Sequence, residues 1–227
     1  MATKSKNGSG NLSNSLTDLM TSLMVIFVLL LVATLNNASE EGANTRSLML
    51  DKLTQELRDF EKQGVSVKQD PRDPLGLLVL VPEKALKFDE NASKISREGE
   101  EFLGEFVPRF AKITCNERFH DEIGSIVVEG YTNSNGTDEY NLGLSQSRSL
   151  AVVQQTLGIL GKEDAELLKT IGKEDAALKN CFLDFLSANG RGSRDPILDS
   201  NGKEDKERSR RVQFKIRVRS FEERHQV

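Results

Sequence analysis

Length, composition and charge exclude several classes of function. The chain has 227 residues, of which 31 are basic and 35 acidic, with a formal net charge of −4. This length allows one globular domain with appendages. The balanced charge, without an arginine-rich patch among aromatic residues, argues against nucleic-acid binding. The sequence holds no HExxH, CxxC, GxSxG or P-loop motif, and its two histidines, His120 and His225, lie far apart. We therefore expect no catalytic site, metal site or cofactor.

The N-terminal part of the chain predicts a membrane anchor. Residues 1–13 are rich in Ser, Asn, Gly and Lys, a composition typical of a disordered tail. A transmembrane helix is predicted over residues 14–36, because Leu16–Leu35 has no charged residue other than Asp18. Twenty helical residues rise about 30 Å, the thickness of the hydrocarbon core of a bilayer. A cleaved signal peptide is the alternative, but its apolar stretch is usually shorter, about 7–15 residues.

The charges that flank this span predict its orientation. Lys4 and Lys6 precede it, and Glu40 and Glu41 follow it. By the positive-inside rule, the N-terminus is cytoplasmic and residues 37–227 lie outside the inner membrane, in the periplasm of a Gram-negative cell.

Asp18 has two interpretations. As a helix cap, its carboxylate would lie in the first turn, close to the positive end of the helix dipole. As an ion carrier, it would be one of the rare charges within a span that mark ion paths. Ser15, Asp18 and Ser22 recur at i, i+3 and i+7 on one helix face, with Thr21 beside them. The polar stripe and the short distance to the boundary leave both interpretations open.

Residues 37–63 predict a polar linker followed by an amphipathic helix. The apolar residues of this helix recur at i, i+3, i+7 and i+10, and they are Leu50, Leu53, Leu57 and Phe60. Such a stripe is typical of a helix with a packing partner. Two heptads do not distinguish self-association from packing on the following domain.

The remainder, residues 64–227, alternates predicted strands and helices. The apolar run Leu77–Val81 predicts a buried strand, "GSIVVEGYT" a second strand, and "RRVQFKIRVRS" a third. In the last strand Val212, Phe214, Ile216 and Val218 are expected to face the core, and Gln213, Lys215, Arg217 and Arg219 the solvent. Helical spacing predicts one helix through Phe102, Phe106 and Phe110, and a longer one through Leu142, Leu144, Val152, Val153, Leu157 and Leu160. The pattern indicates an α/β sandwich with one sheet and helices on one face.

Two further features lie within this domain. "GKEDAELLKTI" and "GKEDAALKNCF" form an 11-residue near-repeat over residues 161–182, which we interpret as an insertion made by local duplication that enlarges a loop. Cys115 and Cys181 would both face an oxidising compartment, where a disulfide between them can form. The sequence does not show whether their Cα atoms come close enough, so two buried free thiols are the alternative.

The stretch "VVEGYTNSNGTDEYNLGLSQSRSLAVVQQTL" resembles the core motif of OmpA-like peptidoglycan-binding domains, G-H-T-D, a glycine turn, then Y-N-x-x-L-S-x-x-R. "LVLVPEKALKFDENASKIS" resembles the first strand and loop of that family, and "NGKEDKERSRRVQFKI" its last strand. The resemblance covers roughly residues 75–219. It implies an OmpA-like α+β sandwich that binds the cell wall.

In the OmpA-like family an Asp and an Arg hold the diaminopimelate of the wall peptide. Arg148 stands at the Arg position, and an Arg is well suited to bind a carboxylate bidentately. Asn133 stands at the Asp position and brings no charge to an ammonium group, which implies altered or weakened ligand preference. The other residues at motif positions are Tyr131, Thr132, Asn141 and Leu144.

A single span with an Asp, a linker helix and an OmpA-like domain resemble the plan of MotB-type stator B subunits. The compact size and short tail are more similar to the ZorB-type subunit of Zorya antiphage systems than to a flagellar stator. The resemblance implies a homodimer inside a ring of five MotA- or ZorA-like subunits, with ions, protons rather than sodium, passing Asp18 with support from Thr21 and Ser22. A purely structural anchor between membrane and wall and an ExbD-like transducer are the alternatives.

Overall fold

The computed structural model describes residues 8–89, 92–171 and 178–220, without the side chains of residues 8–15, 36–43 and 163–171. His225, the first residues of the predicted tail and the start of the second GKED copy lie outside the described residues. The chain divides into two compact units, Met1–Glu41 and Gly42–Val227.

The first unit consists of helix α1, which is assigned from Gly8 to Glu56 and whose later residues belong to the second unit. Helix α1 begins within residues 1–13, which were predicted to form a disordered tail. A helix extends readily into such a segment, because each residue added to an existing helix gains a hydrogen bond. Residues Leu16–Leu35 have a mean hydropathy of 2.4, and none of them is buried. Their length and composition suffice to cross a membrane.

The second unit begins at Gly42, not at residue 64, because the amphipathic stripe packs into its core. Met49 and Leu53 are completely buried, and Leu57 and Phe60 are at most 2% exposed. In the structure this helix therefore packs on the domain that follows it, and its apolar stripe is buried within a single copy of the chain. Burial of one large apolar side chain stabilises the fold by about 1.5–3 kcal/mol, so that these four contribute strongly.

A five-stranded sheet forms the centre of the second unit. Its strands are β1 (Ser66–Gln69), β2 (Gly76–Pro82), β3 (Ile123–Tyr131), β4 (Leu186–Gly190) and β5 (Arg211–Val218). Their order is β1-β2-β5-β3-β4, with β3 and β4 parallel and all other pairs antiparallel. Sequence reasoning missed β1 and β4, because each is short and neither has a run of β-branched residues.

Helices cover one face of this sheet. They are α2 (Arg97–Thr114), α4 (Asp138–Ile171) and α5 (Leu178–Phe185). The second unit also has the short helices α3 (Glu117–His120) and α6 (Lys206–Ser209) and a 3-10 helix over Arg58–Gln63. Phe102, Phe106 and Phe110 of α2 stack along the helix, with ring centroids 5.4 and 5.5 Å apart. Phe214 of β5 closes this cluster, 5.3 Å from Phe106.

Helix α4 packs on the sheet through small residues, not through all the predicted apolar ones. Leu142 is 44% exposed, whereas Ser145 and Ser149 are completely buried. The reason is a close approach, because a Cβ on Gly130 would lie 2.3 Å from the carbonyl oxygen of Ser145. Gly190 of β4 meets the backbone of Gln146 in the same way, at 2.5 Å. These contacts fix where the start of α4 lies over the sheet.

The expectation of a wet outer face on β5 is wrong in part. Val212, Phe214, Ile216 and Val218 are buried as predicted, but Gln213 is also only 6% exposed. Its amide donates to a carboxylate oxygen of Glu129 across the sheet, 3.1 Å away. Lys215 forms an ion pair with Asp70 at 2.7 Å.

The near-repeat does more than enlarge a loop. Its first copy continues α4 to Ile171, and the described end of the second copy forms α5. Phe182 in α5 is completely buried, 5.7 Å from Phe110 between ring centroids. A disulfide joins Cys181 to Cys115 at the C-terminus of α2, with Cα atoms 6.1 Å apart. The two cysteines are therefore joined in a disulfide and are not two buried free thiols.

Candidate ion-carrier and wall-binding residues

Asp18 lies inside α1 and is not its cap. The helix begins at Gly8, and its first turn contains no acidic residue. The free backbone N–H groups of a helix are confined to its first four residues, so the carboxylate of Asp18 lies too far along the chain to cap them. The cap interpretation is therefore wrong, and Asp18 is an exposed carboxylate on the surface of an apolar helix.

The hydroxyl of Thr21 is directed at the helix backbone. It donates to the carbonyl oxygens of Thr17 and Asp18, at 3.0 and 2.9 Å. A Thr inside a helix commonly bonds the preceding turn in this way. The side chain of Ser22 is exposed, and that of Ser15 lies outside the described side chains. A supporting role of Thr21 and Ser22 in an ion path stays a prediction.

The loop between β3 and α4 holds Asn133 and Asn141 together. The side-chain oxygen of Asn133 accepts from the backbone N–H of Asn135 at 3.1 Å. The amide of Asn141 donates to the carbonyl oxygen of Asn135 at 2.8 Å. Thr132 is anchored by a bond from its backbone N–H to the carbonyl oxygen of Gly192 at 2.9 Å. Both Asn side chains are buried and shape this loop, which is a structural task that a neutral amide performs well.

Arg148 is buried within the second unit. Its guanidinium pairs with Glu83 at 3.0 Å and donates through Nε to the carbonyl oxygen of Ala92 at 3.0 Å. It lies over the ring of Phe88, 4.7 Å from the centroid. Burial lowers the pKa of Arg148 from its ordinary value, against the opposing effect of Glu83. Glu83 also pairs with Arg210, so that one carboxylate faces two guanidinium groups.

Tyr131 faces away from Arg148. The neighbouring Gly130 contacts Ser145 of α4, and side chains alternate between the two faces of a strand. The hydroxyl of Tyr131 donates to Glu129 at 2.8 Å, on the face of the sheet opposite α4. Burial, with Glu129 beside it, raises the pKa of Tyr131. The structure thus separates Tyr131 from the set that contains Asn141, half-buried Leu144 and Arg148.

Sequence reasoning missed a carboxylate beside Asn133. Glu204 accepts hydrogen bonds from the backbone N–H and the hydroxyl of Ser134, the next residue after Asn133. Lys206 donates to the side-chain oxygen of Asn135 at 2.7 Å. These contacts join the "GKEDKE" turn to the β3–α4 loop over a separation of about seventy residues, which no local pattern signals.

The ion pairs of Asp195 are expected to make the stability of the fold depend on pH. Hydrogen bonds from Arg72, then from Arg191, hold the pKa of its carboxyl at about 2, below the ordinary 3.8. The stability that Asp195 contributes is therefore complete above about pH 4 and is lost as pH falls through about 2.

We expect Asp195→Asn to lower the melting temperature of the full chain in detergent at pH 6. The gap, which is the difference in melting temperature between the variant and wild type, should become smaller as the pH falls towards 2. Asp184→Asn, which changes an exposed carboxylate on α5, is the control and should leave the gap small throughout. A gap between wild type and Asp195→Asn that widens with acidification would contradict this expectation.

Comparison with known proteins identifies the chain's relatives. No family model matches it. A Zorya protein ZorB from the Crooks strain of Escherichia coli is 34% identical over 122 residues, which are 50% of this chain and 46% of that protein. A second Zorya protein ZorB, from Escherichia coli O139:H28, is 29% identical over 202 residues, 84% of this chain and 74% of that protein. The chain is thus similar in sequence to two ZorB proteins.

The fold of the chain is similar to that of a MotB-like protein of known structure. The crystal structure of a MotB-like protein from Desulfovibrio vulgaris matches it with a TM-score of 0.53 at 19% identity, over 83% of this chain and 99% of that one. The predicted OmpA-like α/β sandwich preceded by one apolar helix is thereby confirmed. The first ZorB alignment spans less than half of that protein's length.

Proposed function

We propose that this chain is the B subunit of an ion-driven stator that is anchored to peptidoglycan and acts in Zorya antiphage defence. The observation that carries the proposal is Asp18, a carboxylate in the interior of an apolar helix of span length, in a chain whose second unit has a MotB-like fold. The similarity to ZorB favours the defence role over a flagellar one. In this role the chain is a conducting and anchoring component without enzymatic activity or cofactor.

The span supplies the ion step. A carboxylate in hydrocarbon is strongly destabilised while charged, so uptake of a proton removes that penalty and changes which neighbours the helix prefers. One charge that crosses 100 mV yields about 2.3 kcal/mol, which is the energy available per proton. All of Leu16–Leu35 is exposed in the single chain, as expected for a span that packs against helices of other subunits. We propose two copies of this chain within five MotA- or ZorA-like subunits.

The second unit supplies the fixed point. With the N-terminus cytoplasmic, it lies in the periplasm, where peptidoglycan is its ligand. Arg148 and Arg210 together carry one more charge than Glu83 neutralises, which favours an anionic group of the wall peptide at this point. Asn133 offers no charge for the ammonium of diaminopimelate. Glu204, which contacts the next residue along the loop, brings a carboxylate to the same place.

Replacement of Arg148 by Ala is expected to weaken binding of the full chain, in detergent, to purified peptidoglycan sacculi by at least about tenfold. A charged hydrogen bond contributes about 1.5–3 kcal/mol, and each 1.4 kcal/mol is a factor of ten. We expect Glu204→Gln to weaken binding by a smaller factor while leaving the fold intact, because Glu204 is only half-buried and Gln keeps an oxygen that can accept from Ser134. The measurement is co-sedimentation with sacculi over a range of concentrations.

Arg97→Ala is the matched control, since it removes an arginine that is 89% exposed on α2. Melting temperatures separate a loss of binding from a loss of fold. The anchoring proposal fails if the wild-type chain does not sediment, or if both site variants sediment like the control.

The motor part of the proposal is tested with its partner. The full chain, co-expressed with a MotA- or ZorA-like subunit, should co-purify with it, and vesicles containing the complex should conduct protons when a membrane potential is imposed. A complex that binds sacculi but conducts no ions would instead support a purely structural anchor.

A further inference from the structure

A polar groove of about 280 Å³ lies on the face of the sheet opposite α2 and α4. Side chains on this face of β3 and β5 form its floor, and the segment around Asp195 forms one wall. Four basic and three acidic side chains line it, so the groove carries a small positive excess. Among its acidic groups, Asp70 is already paired with Lys215 outside the groove.

Arg211 is the central group of this floor. Its guanidinium stacks on Tyr131, 3.7 Å from the ring centroid, and it is only 8% exposed. Its Nη atoms donate to the carbonyl oxygens of Ser209 and Asp195, at 3.2 and 3.1 Å. Within the part of the chain that the structure describes, it has no carboxylate in ion-pair distance. Arg211 is therefore a buried guanidinium whose direct contacts are two carbonyl oxygens and a ring, while the carboxylates of Asp195 and Glu129 act on it only from beyond ion-pair distance.

Two buried donors of the arginines beside the groove have no acceptor among the described residues. The Nε atoms of Arg191 and Arg211 are buried without a hydrogen-bond partner among the described residues. A buried donor without a partner destabilises a fold, and such groups are uncommon in native proteins. Asp195 pairs with Arg72 and with an Nη atom of Arg191, at 2.6 and 3.1 Å, and with neither of the two Nε atoms.

The other carboxylate of the floor is also occupied. Glu129 accepts from the hydroxyl of Tyr131 at 2.8 Å and from the amide of Gln213 at 3.1 Å. Both donors are neutral, so Glu129 keeps its charge, and the four basic and three acidic side chains leave the groove lining with an excess of one positive charge.

We propose that this groove binds a small ligand through its carboxylate, which Arg191 and Arg211 receive. A planar guanidinium matches a planar carboxylate, and the small positive excess suits one negative charge better than the nearly two of a phosphate. The carboxylate comes either from the C-terminus of a short peptide or from a free small acid.

Tyrosine fluorescence gives a local readout. The chain has two tyrosines and no tryptophan, so Tyr140→Phe leaves Tyr131, on the groove floor, as the one emitter. Tyr140 is 50% exposed, and the substitution should not disturb the fold. In this background the full chain in detergent is titrated with N-acetyl-dialanine, with its C-terminal amide, with acetate and with inorganic phosphate.

We expect a saturable change in Tyr131 emission with N-acetyl-dialanine and none with its amide. Arg191→Gln should weaken the apparent affinity at least tenfold, and Arg194→Gln, a nearby exposed arginine outside the groove, should not change it. A stronger response to the dipeptide than to acetate identifies a peptide terminus, and equal responses identify a free acid. Arg211→Lys keeps the charge but loses the planar donor pair, and should also weaken binding.

Three results would overturn the proposal. They are no saturable response to either carboxylate, an equal response to acid and amide, and a response to phosphate alone. Equal affinities in the Arg191→Gln and Arg194→Gln variants, both with wild-type melting temperatures, would also reject it.

Discussion

If the chain acts in antiphage defence as proposed, Asp18→Asn is expected to lower phage protection to the level of cells that lack the chain. Asn has nearly the same size, keeps polarity and accepts hydrogen bonds, but it cannot take up and release a proton. If the span works as an ion carrier, the cycle stops while the protein still inserts and assembles. The measurement is the efficiency of plating of phage on cells that carry the complete system with either form of the chain.

The control for this variant lies in the same span. Thr34 bonds the carbonyl oxygen of Leu31 at 2.8 Å, so Thr34→Val removes a polar group that faces its own helix backbone. Thr34→Val should protect like wild type, and both variants should reach normal levels in the membrane and bind sacculi. Full protection by an Asp18→Asn chain that is present at normal levels would disprove the ion-carrier role.

Loss of the disulfide has the second largest expected effect. Cys115 and Cys181 close a loop with a sequence separation of 66 residues. A cross-link of that span restricts the unfolded chain, and its loss costs about 4 kcal/mol of unfolding free energy in the loop-entropy model. For a folded unit of this size, that corresponds to a fall in melting temperature of roughly 10 °C. The measurement is thermal unfolding of the variant with both cysteines changed to Ser.

A reducing agent provides the internal control. Because the chain has only these two cysteines, reduced wild type should melt close to the double-Ser variant, and the variant itself should not respond to reductant. If the double-Ser variant melts like oxidised wild type, the bond adds no stability to this fold.

Strong periodicity made the core predictable. The run Leu77–Val81 predicted a strand that is buried except at half-buried Leu80, and the Phe residues of α2 and the core-facing residues of β5 are buried as predicted, because each pattern repeats along its own element. The stripe at Leu53 and Leu57 was equally clear as a pattern. The packing partner of this stripe could not be predicted, because an apolar stripe indicates that a helix face is buried but not which element covers it.

The candidate sites were harder to predict, because their contacts are distant in sequence. Arg148 could be placed on a helix and matched to a motif, but its partner Glu83 belongs to a loop after β2. Glu204 reaches Ser134 from another turn in the same way. The glycine at position 130 gave no hint that the backbone of α4 lies against it. Such pairings are properties of the assembled sheet, and no single segment encodes them.

The burial of the end of α1 decides where a soluble fragment of the second unit has to begin. A fragment cut at residue 64, the limit that the motifs suggest, would lack Met49, Leu53, Leu57 and Phe60. The rings of Phe102 and Phe106, which pack against Phe60 at 5.6 and 5.7 Å, would then face water. An exposed aromatic patch of this kind promotes aggregation, and a failed binding assay with that fragment would report on the cut and not on the ligand. A fragment that starts at Gly42 keeps the whole core.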